Sequence, residues 1–238
     1  MNSDSLQTTL DNLLQSGTQS NPALNSLLSD YIKYHVVLLI VGGLFTLILV
    51  TLSVLFWARY KRTSKTDTSK WTFEKKTYFS FSLLTTIVGL FMALIVVANT
   101  STVLNPQQGF LGVVGMLGTS QTGTHKAQLH QSFNTWLQSG STHVPALIQS
   151  KINDRLAWQL PKAIICSALL AIFVVVSVCI WGTLIRQSKV RETKRKLKEK
   201  MLLFSGVVSV AVCLLLMLMV IGNTQGAFAP LSLTLLYG

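Results

Sequence analysis

Residues 36–58 read VVLLIVGGLFTLILVTLSVLFWA, and residues 59–76 continue RYKRTSKTDTSKWTFEKK. The first stretch is 23 residues without Asp, Glu, Lys, Arg or His. At 1.5 Å per residue it is long enough to cross a hydrocarbon layer of roughly 30 Å. The second stretch carries seven basic residues and two acidic ones. An uncharged run that ends abruptly in a dense basic block marks a membrane helix halted at the cytoplasmic surface, where Lys and Arg of short loops are retained.

The pattern recurs along the chain. Four uncharged spans can be drawn, Val36–Ala58, Thr77–Ala98, Ala163–Ile185 and Met201–Gly222, and a second basic block, Arg186–Lys200, holds eight basic and two acidic residues. The whole chain has 238 residues, half of them hydrophobic and only 12% charged, with 20 Lys and Arg against 8 Asp and Glu. A soluble domain would carry about a quarter charged residues. A nucleic-acid binder would spread its basic residues over an exposed face, but fifteen of the twenty lie in the two blocks. Composition therefore predicts an all-α, polytopic membrane protein and no nucleic-acid partner. The first span starts well inside the chain without a basic n-region or a small-residue cleavage site, so it is expected to stay in the mature protein.

With net charges of +5 and +6 on the two blocks and few charges elsewhere, both loops are predicted to face the cytoplasm and both termini the opposite side. The expected location is a bacterial cytoplasmic membrane, the cell inner membrane. Attraction of anionic lipid is the simplest use of the basic loops, at about 1 kcal/mol per nearby Lys or Arg; contact with a cytoplasmic partner is the alternative. Glu192, placed three before Arg195 and four before Lys196, favours continuation of the third helix past the membrane.

An internal duplication organises the chain. LQSGTQSNPAL at 14–24 is answered by LQSGSTHVPAL at 137–147, and NTSTVLNP at 99–106 by NTQGAFAP at 223–230, shifts of 123 and 124 residues. Both anchors enclose the same order of span, basic loop and span. The chain thus divides into a first repeat at 1–106, a glycine-rich apolar connector at 107–126 and a second repeat at 127–238. Each repeat has an even number of spans, so the two run parallel about an axis along the membrane normal. Asn99 with Pro106, and Asn223 with Pro230, are read as corners in which Asn and Thr satisfy the last helix groups and Pro blocks continuation.

Each repeat also opens with apolar residues at spacings of three and four: Leu6, Leu10, Leu13 and Leu14, then Leu24, Leu27 and Leu28; later Leu129, Phe133, Trp136 and Leu137, then Ala146 to Ile152. This predicts pairs of short amphipathic extracytoplasmic helices, broken near Gly17 and Gly140, with Asn21 capping the second. Such helices either cap the bundle or dock a partner. Trp136, Leu137 and Trp158, with Gly109, Gly112 and Gly115, are the partner-contact candidates; an indole buries its ring while its N–H stays at the polar interface. Gly109, Gly112, Gly115 and Gly118 recur every three residues, a period that puts all four on one side of a 3₁₀ helix, and their place outside the spans predicts a short re-entrant or surface-lying segment whose glycines permit close contact. They form no phosphate-binding loop, because no strand precedes and no GKS or GKT follows. Gly42 and Gly43, and Ala168 and Ala171, are small positions suited to helix packing.

Chemistry is sparse. The spans contain no titratable carboxylate, histidine or lysine of the kind that drives coupled transport; no HExxH or GxSxG occurs; and Cys166, Cys179 and Cys213 all fall inside spans as small hydrophobes. No cofactor and no metal are expected, and the chain is read as a non-enzymatic scaffold or sensor subunit of a membrane complex, with a membrane-protein partner or self-association. A homo-oligomeric channel lined by Thr46, Thr51, Ser53, Ser82, Thr85 and Thr86, and an accessory subunit of a transporter or exporter, are the alternatives.

Overall fold

The computed structural model describes residues 4–16, 21–66, 72–115, 117, 123–190 and 197–238. The described residues form eight α-helices: α1 (Asp4–Gln15), α2 (Pro22–Thr66), α3 (Phe73–Leu104), α4 (Pro106–Val114), α5 (His125–Ser139), α6 (Ala146–Val190), α7 (Leu197–Phe228) and α8 (Pro230–Tyr237). Within α2, α3, α6 and α7 lie four stretches long and apolar enough to cross a membrane. The chain is a helical, multi-pass membrane protein.

The long helices run further than the apolar pattern alone requires. Residues 22–28 and 146–152, expected as separate outer helices, are the first turns of α2 and α6, each 45 residues long. Between Leu28 and Val36 the sequence SDYIKYH holds neither Gly nor Pro, so nothing stops the helix before the apolar run begins. In α6, Pro161 lies inside the helix. It has no N–H to offer the Ala157 carbonyl, yet hydrogen bonds on either side carry the helix through. Asp154, ahead of that proline, is helical and reaches Lys151 at 3.9 Å.

Helices α3 and α7 both have 32 residues and stop one residue before a helix that begins with proline. Proline pushes the residue before it out of the helical region, and the two corner residues respond alike: Asn105 has φ −127° and ψ 68°, Ala229 φ −130° and ψ 60°. Paired starts at 22 and 146, 73 and 197, 106 and 230 all differ by 124. The glycine-rich segment is α-helical as far as Val114: α4 contains Gly109 and Gly112, and Gly115 closes it with its N–H on the Leu111 carbonyl. Gly17, Gly118 and the stretch from Glu192 to Lys196 lie outside the described residues.

The chain folds as two compact units. The first comprises residues 1–39, 97–163 and 222–238. Here α1 packs on α4 and α5, and α5 on α8. Its core is a single cluster that includes Leu6, Leu10 and Leu14 of α1, Leu24 and Leu27 of α2, Phe110 and Val114 of α4, and Leu129, Phe133 and Leu137 of α5. Each such side chain contributes about 1.5–3 kcal/mol on leaving water. The amphipathic spacing of α1 and α5 is thus used to build a core. The second unit comprises residues 40–96 and 164–221. Its apolar side chains mostly face outward, as at Ile40, Leu47, Leu94, Val178 and Phe204, which is the arrangement lipid accepts and water does not. A small cluster of Cys166, Leu216 and Val220 with Phe45 and Phe173 joins three of its helices.

Candidate functional site

Polar side chains in the first unit hold helix ends together. Asn21 Oδ1 accepts the Leu24 N–H at 3.1 Å, capping α2, and its Nδ2 donates to the Leu137 carbonyl of α5 at 2.8 Å. One side chain thereby satisfies an orphan group at the start of one helix and at the end of another. Alongside it, Gly140 ends α5 in the left-handed region at φ 60°, where a side chain would be strained. The Trp136 indole donates to the Ser141 carbonyl at 2.9 Å and fixes the chain as it leaves that turn.

Helix α8 lacks a side-chain cap from its own N-cap residue, Ala229. Asp30 of α2, itself buried, supplies one: the Ser232 N–H donates to Asp30 Oδ2 at 2.7 Å. A carboxylate at a helix N-terminus meets both a free N–H and the positive end of the helix dipole. Arg155 of α6 donates from Nε to Thr234 Oγ1 of the same short helix at 3.3 Å. Near the head of the first span, the Nδ1 of His35 donates to Asn99 Oδ1 at 2.6 Å, and Gln225 Nε2 donates to the Tyr34 carbonyl at 3.2 Å. These contacts use side chains that would otherwise be candidates for chemistry. His130 is the exception: it is 4% exposed, and neither ring nitrogen has a hydrogen-bond partner. Burial, helped by the Lys126 charge, holds its imidazole below the ordinary histidine value. The group is therefore kept neutral.

In the second unit the hydroxyls turn inward on their own helices. Thr46 donates to the Gly42 carbonyl, Thr51 to Leu47 and Thr85 to Phe81, at 2.7–2.8 Å. Thr86 Oγ1 donates to the Ser82 carbonyl at 2.6 Å, which leaves it to accept from Ser53 Oγ at 2.6 Å and from the Trp57 indole at 3.2 Å. That three-residue node ties α2 to α3. At the corresponding place between α6 and α7, the Trp181 indole donates to the Gly206 carbonyl at 3.2 Å.

The residues singled out from sequence are dispersed. Trp136 and Leu137 are 2% and 0% exposed and belong to the core of the first unit, so their apolar spacing serves packing between α5 and its neighbours. Trp158 is 63% exposed, with Lys162 Nζ 3.7 Å from its ring centroid. Gly109 is a close-approach position: an added Cβ would lie 2.6 Å from Thr102 Cγ2 and 3.1 Å from the Tyr31 hydroxyl. Nothing lies within 4 Å of such a Cβ at Gly112, and only carbonyl oxygens of the preceding turn do so at Gly115. Gly42 is buried, the neighbourhood of Gly43 is open, and Ala168 and Ala171 are exposed on α6. Asn99 lies within α3, five residues before its end, where His35 engages it; the helix break itself falls at Asn105, ahead of Pro106. Asn223 occupies the corresponding position in α7, and Pro230 opens α8. Among the described residues no group of His, Cys, Asp and Glu comes together to hold a metal ion.

Three contributors were not singled out from sequence. Trp57 and Trp181 share the 124-residue shift, and that spacing was the available signal. Asp30 carried no local sign of its role, because its partner is 202 residues away. The chain matches no protein-family model, no curated protein and no solved structure.

Proposed function

We propose that the chain is a non-enzymatic subunit of a membrane protein complex, a scaffold or sensor built from a duplicated two-span unit. The observation that carries this reading is how the polar groups are used. Asn21, Asp30, His35, Arg155, Trp57 and Thr86 each join one helix to another. Function then rests on surfaces. Support for the duplication comes from the equal lengths of the long helices, matching corners and the tryptophan pair at one shift. The short helices α1, α4, α5 and α8 are assigned to the non-cytoplasmic side, with both termini, because the basic blocks lie at the opposite ends of the long helices.

Two exposed features are the contact candidates: Trp158 with its lysine in the first unit, and the small residues Ala168 and Ala171 in the second. Purification from native membranes in mild detergent, without crosslinking, tests the reading. A second protein should accompany the chain, and Trp158→Ser or Ala168→Leu should reduce its recovery at unchanged levels of the chain. Recovery insensitive to both substitutions refutes the assignment of those surfaces. The channel alternative demands conductance from the purified chain in liposomes and a change in that conductance on Thr51→Val or Thr85→Val. Self-bonding of those hydroxyls to helix carbonyls favours the packing role.

A further inference from the structure

The second unit contains a groove of about 330 Å³ between α3 and α7, floored by Trp181 of α6. Its origin is a difference between the two hairpins. Beside Trp57, the rings of Phe79 and Tyr60 lie with centroids at 6.0 and 5.7 Å and cover the indole. A shift of 124 puts Leu203 and Leu184 at the corresponding positions. These shorter side chains leave Trp181, which Phe81 meets edge-on at 4.8 Å and whose N–H is held by the Gly206 carbonyl, in the lining of the groove. On the α7 side, Leu203 and Val207 form the wall. The volume falls within the range of small-molecule sites, roughly 300–1,000 Å³.

The lining is apolar except near one end. Lys76 stands at the start of α3 and Ser80 one turn further along, about 6 Å deeper at the helical rise. Residues four apart lie on one helix face, so an ammonium and a hydroxyl are stacked above an apolar slot. Lys76 is exposed and, among the described residues, makes no ion pair. It is the last residue of the basic block 59–76. We infer that this groove holds one acyl chain of an anionic glycerophospholipid, with its phosphate at Lys76 and its glycerol ester carbonyl accepting from Ser80. The order of groups along the groove, cation, hydroxyl and hydrocarbon wall, is the order of phosphate, ester and chain along the lipid. The bilayer supplies that ligand directly to an outward-facing slot on a spanning helix pair. The inference rests on the membrane-spanning architecture and is independent of the scaffold reading.

The test uses the full chain in nanodiscs containing phosphatidylcholine and a fixed minor fraction of phosphatidylglycerol, the latter brominated on its acyl chain in one series and the former in the other. Bromine quenches a nearby indole, and because the chain has five tryptophans, the part of the quenching that is lost on Trp181→Phe reports occupancy of the groove. Brominated phosphatidylglycerol should quench more than brominated phosphatidylcholine at equal mole fraction. Lys76→Gln should weaken the apparent preference for phosphatidylglycerol about five-fold, the effect of one lysine near the headgroup. Leu203→Phe fills the slot as Phe79 does in the other hairpin and should abolish the excess quenching. Ser80→Phe provides a second filling variant in case the first fails to fold, with circular dichroism and monodisperse elution checked for each. Equal quenching by the two lipids, or excess quenching that survives the filling of the groove in a folded variant, overturns the assignment. Partner recovery from native membranes reads the scaffold proposal separately.

Discussion

Asn21→Ala should loosen the first unit by about 2 kcal/mol. The side chain makes two bonds of different kinds, a cap on the Leu24 N–H and a donation to the Leu137 carbonyl. Loss of an N-cap costs about 1 kcal/mol, and loss of a part-buried hydrogen bond about 1 kcal/mol more. Because the second bond joins the start of α2 to the end of α5, the penalty should appear as local opening. Amide hydrogen exchange in detergent micelles measures it: the amides of Phe133 to Leu137 and Leu10 to Leu14 should exchange about 30-fold faster, at 1.4 kcal/mol per factor of ten. Asn21→Asp retains an acceptor for Leu24 but lacks the donor to Leu137, and should accelerate exchange by about five-fold. Exchange within two-fold of wild type in the alanine variant would refute the double-tie account of Asn21.

Neutral, unpartnered His130 should make stability depend on pH. Its folded value lies below 6.5 while the unfolded chain titrates near 6.5, so its contribution is fully present above that value and is lost as pH falls through the lower folded value. The wild type should therefore lose stability relative to His130→Phe between neutral and mildly acidic pH, by thermal melting in micelles; parallel profiles would remove His130 as the cause. Thr86→Val deletes the acceptor shared by Ser53 and Trp57 and should destabilise the α2–α3 hairpin by about 1 kcal/mol in lipid, read by steric trapping in bicelles, with Ser53→Ala in the same background adding little. Cysteines introduced at Ser141 and Ser188 should differ in accessibility, the first labelling from the non-cytoplasmic side and the second from the cytoplasmic side; the reverse pattern would invert the orientation.

The spans were legible because hydrocarbon imposes a simple rule: an uncharged run of sufficient length must form a helix. Corners were legible in part, since Pro106 and Pro230 restrict the residue before them regardless of context. Helix extent was not, because nothing in SDYIKYH distinguishes a helix that continues from one that pauses. Trp136 illustrates the limit at the level of a site. Its spacing marks an apolar helix face correctly, but what covers that face is decided by α1 and α8, distant in sequence, and the core takes it. Asp30 was illegible for the same reason. A lone carboxylate before a membrane span has no local motif, and its meaning comes from an uncapped helix 202 residues later.

Native mass determination of the chain, released from its own membrane in polymer nanodiscs, tests the subunit proposal most directly. The account predicts a discrete complex in which the 26.2 kDa chain is joined by a second, non-identical protein in fixed ratio. A species made only of this chain, as monomer or closed ring, that conducts ions when fused to a planar bilayer would contradict it.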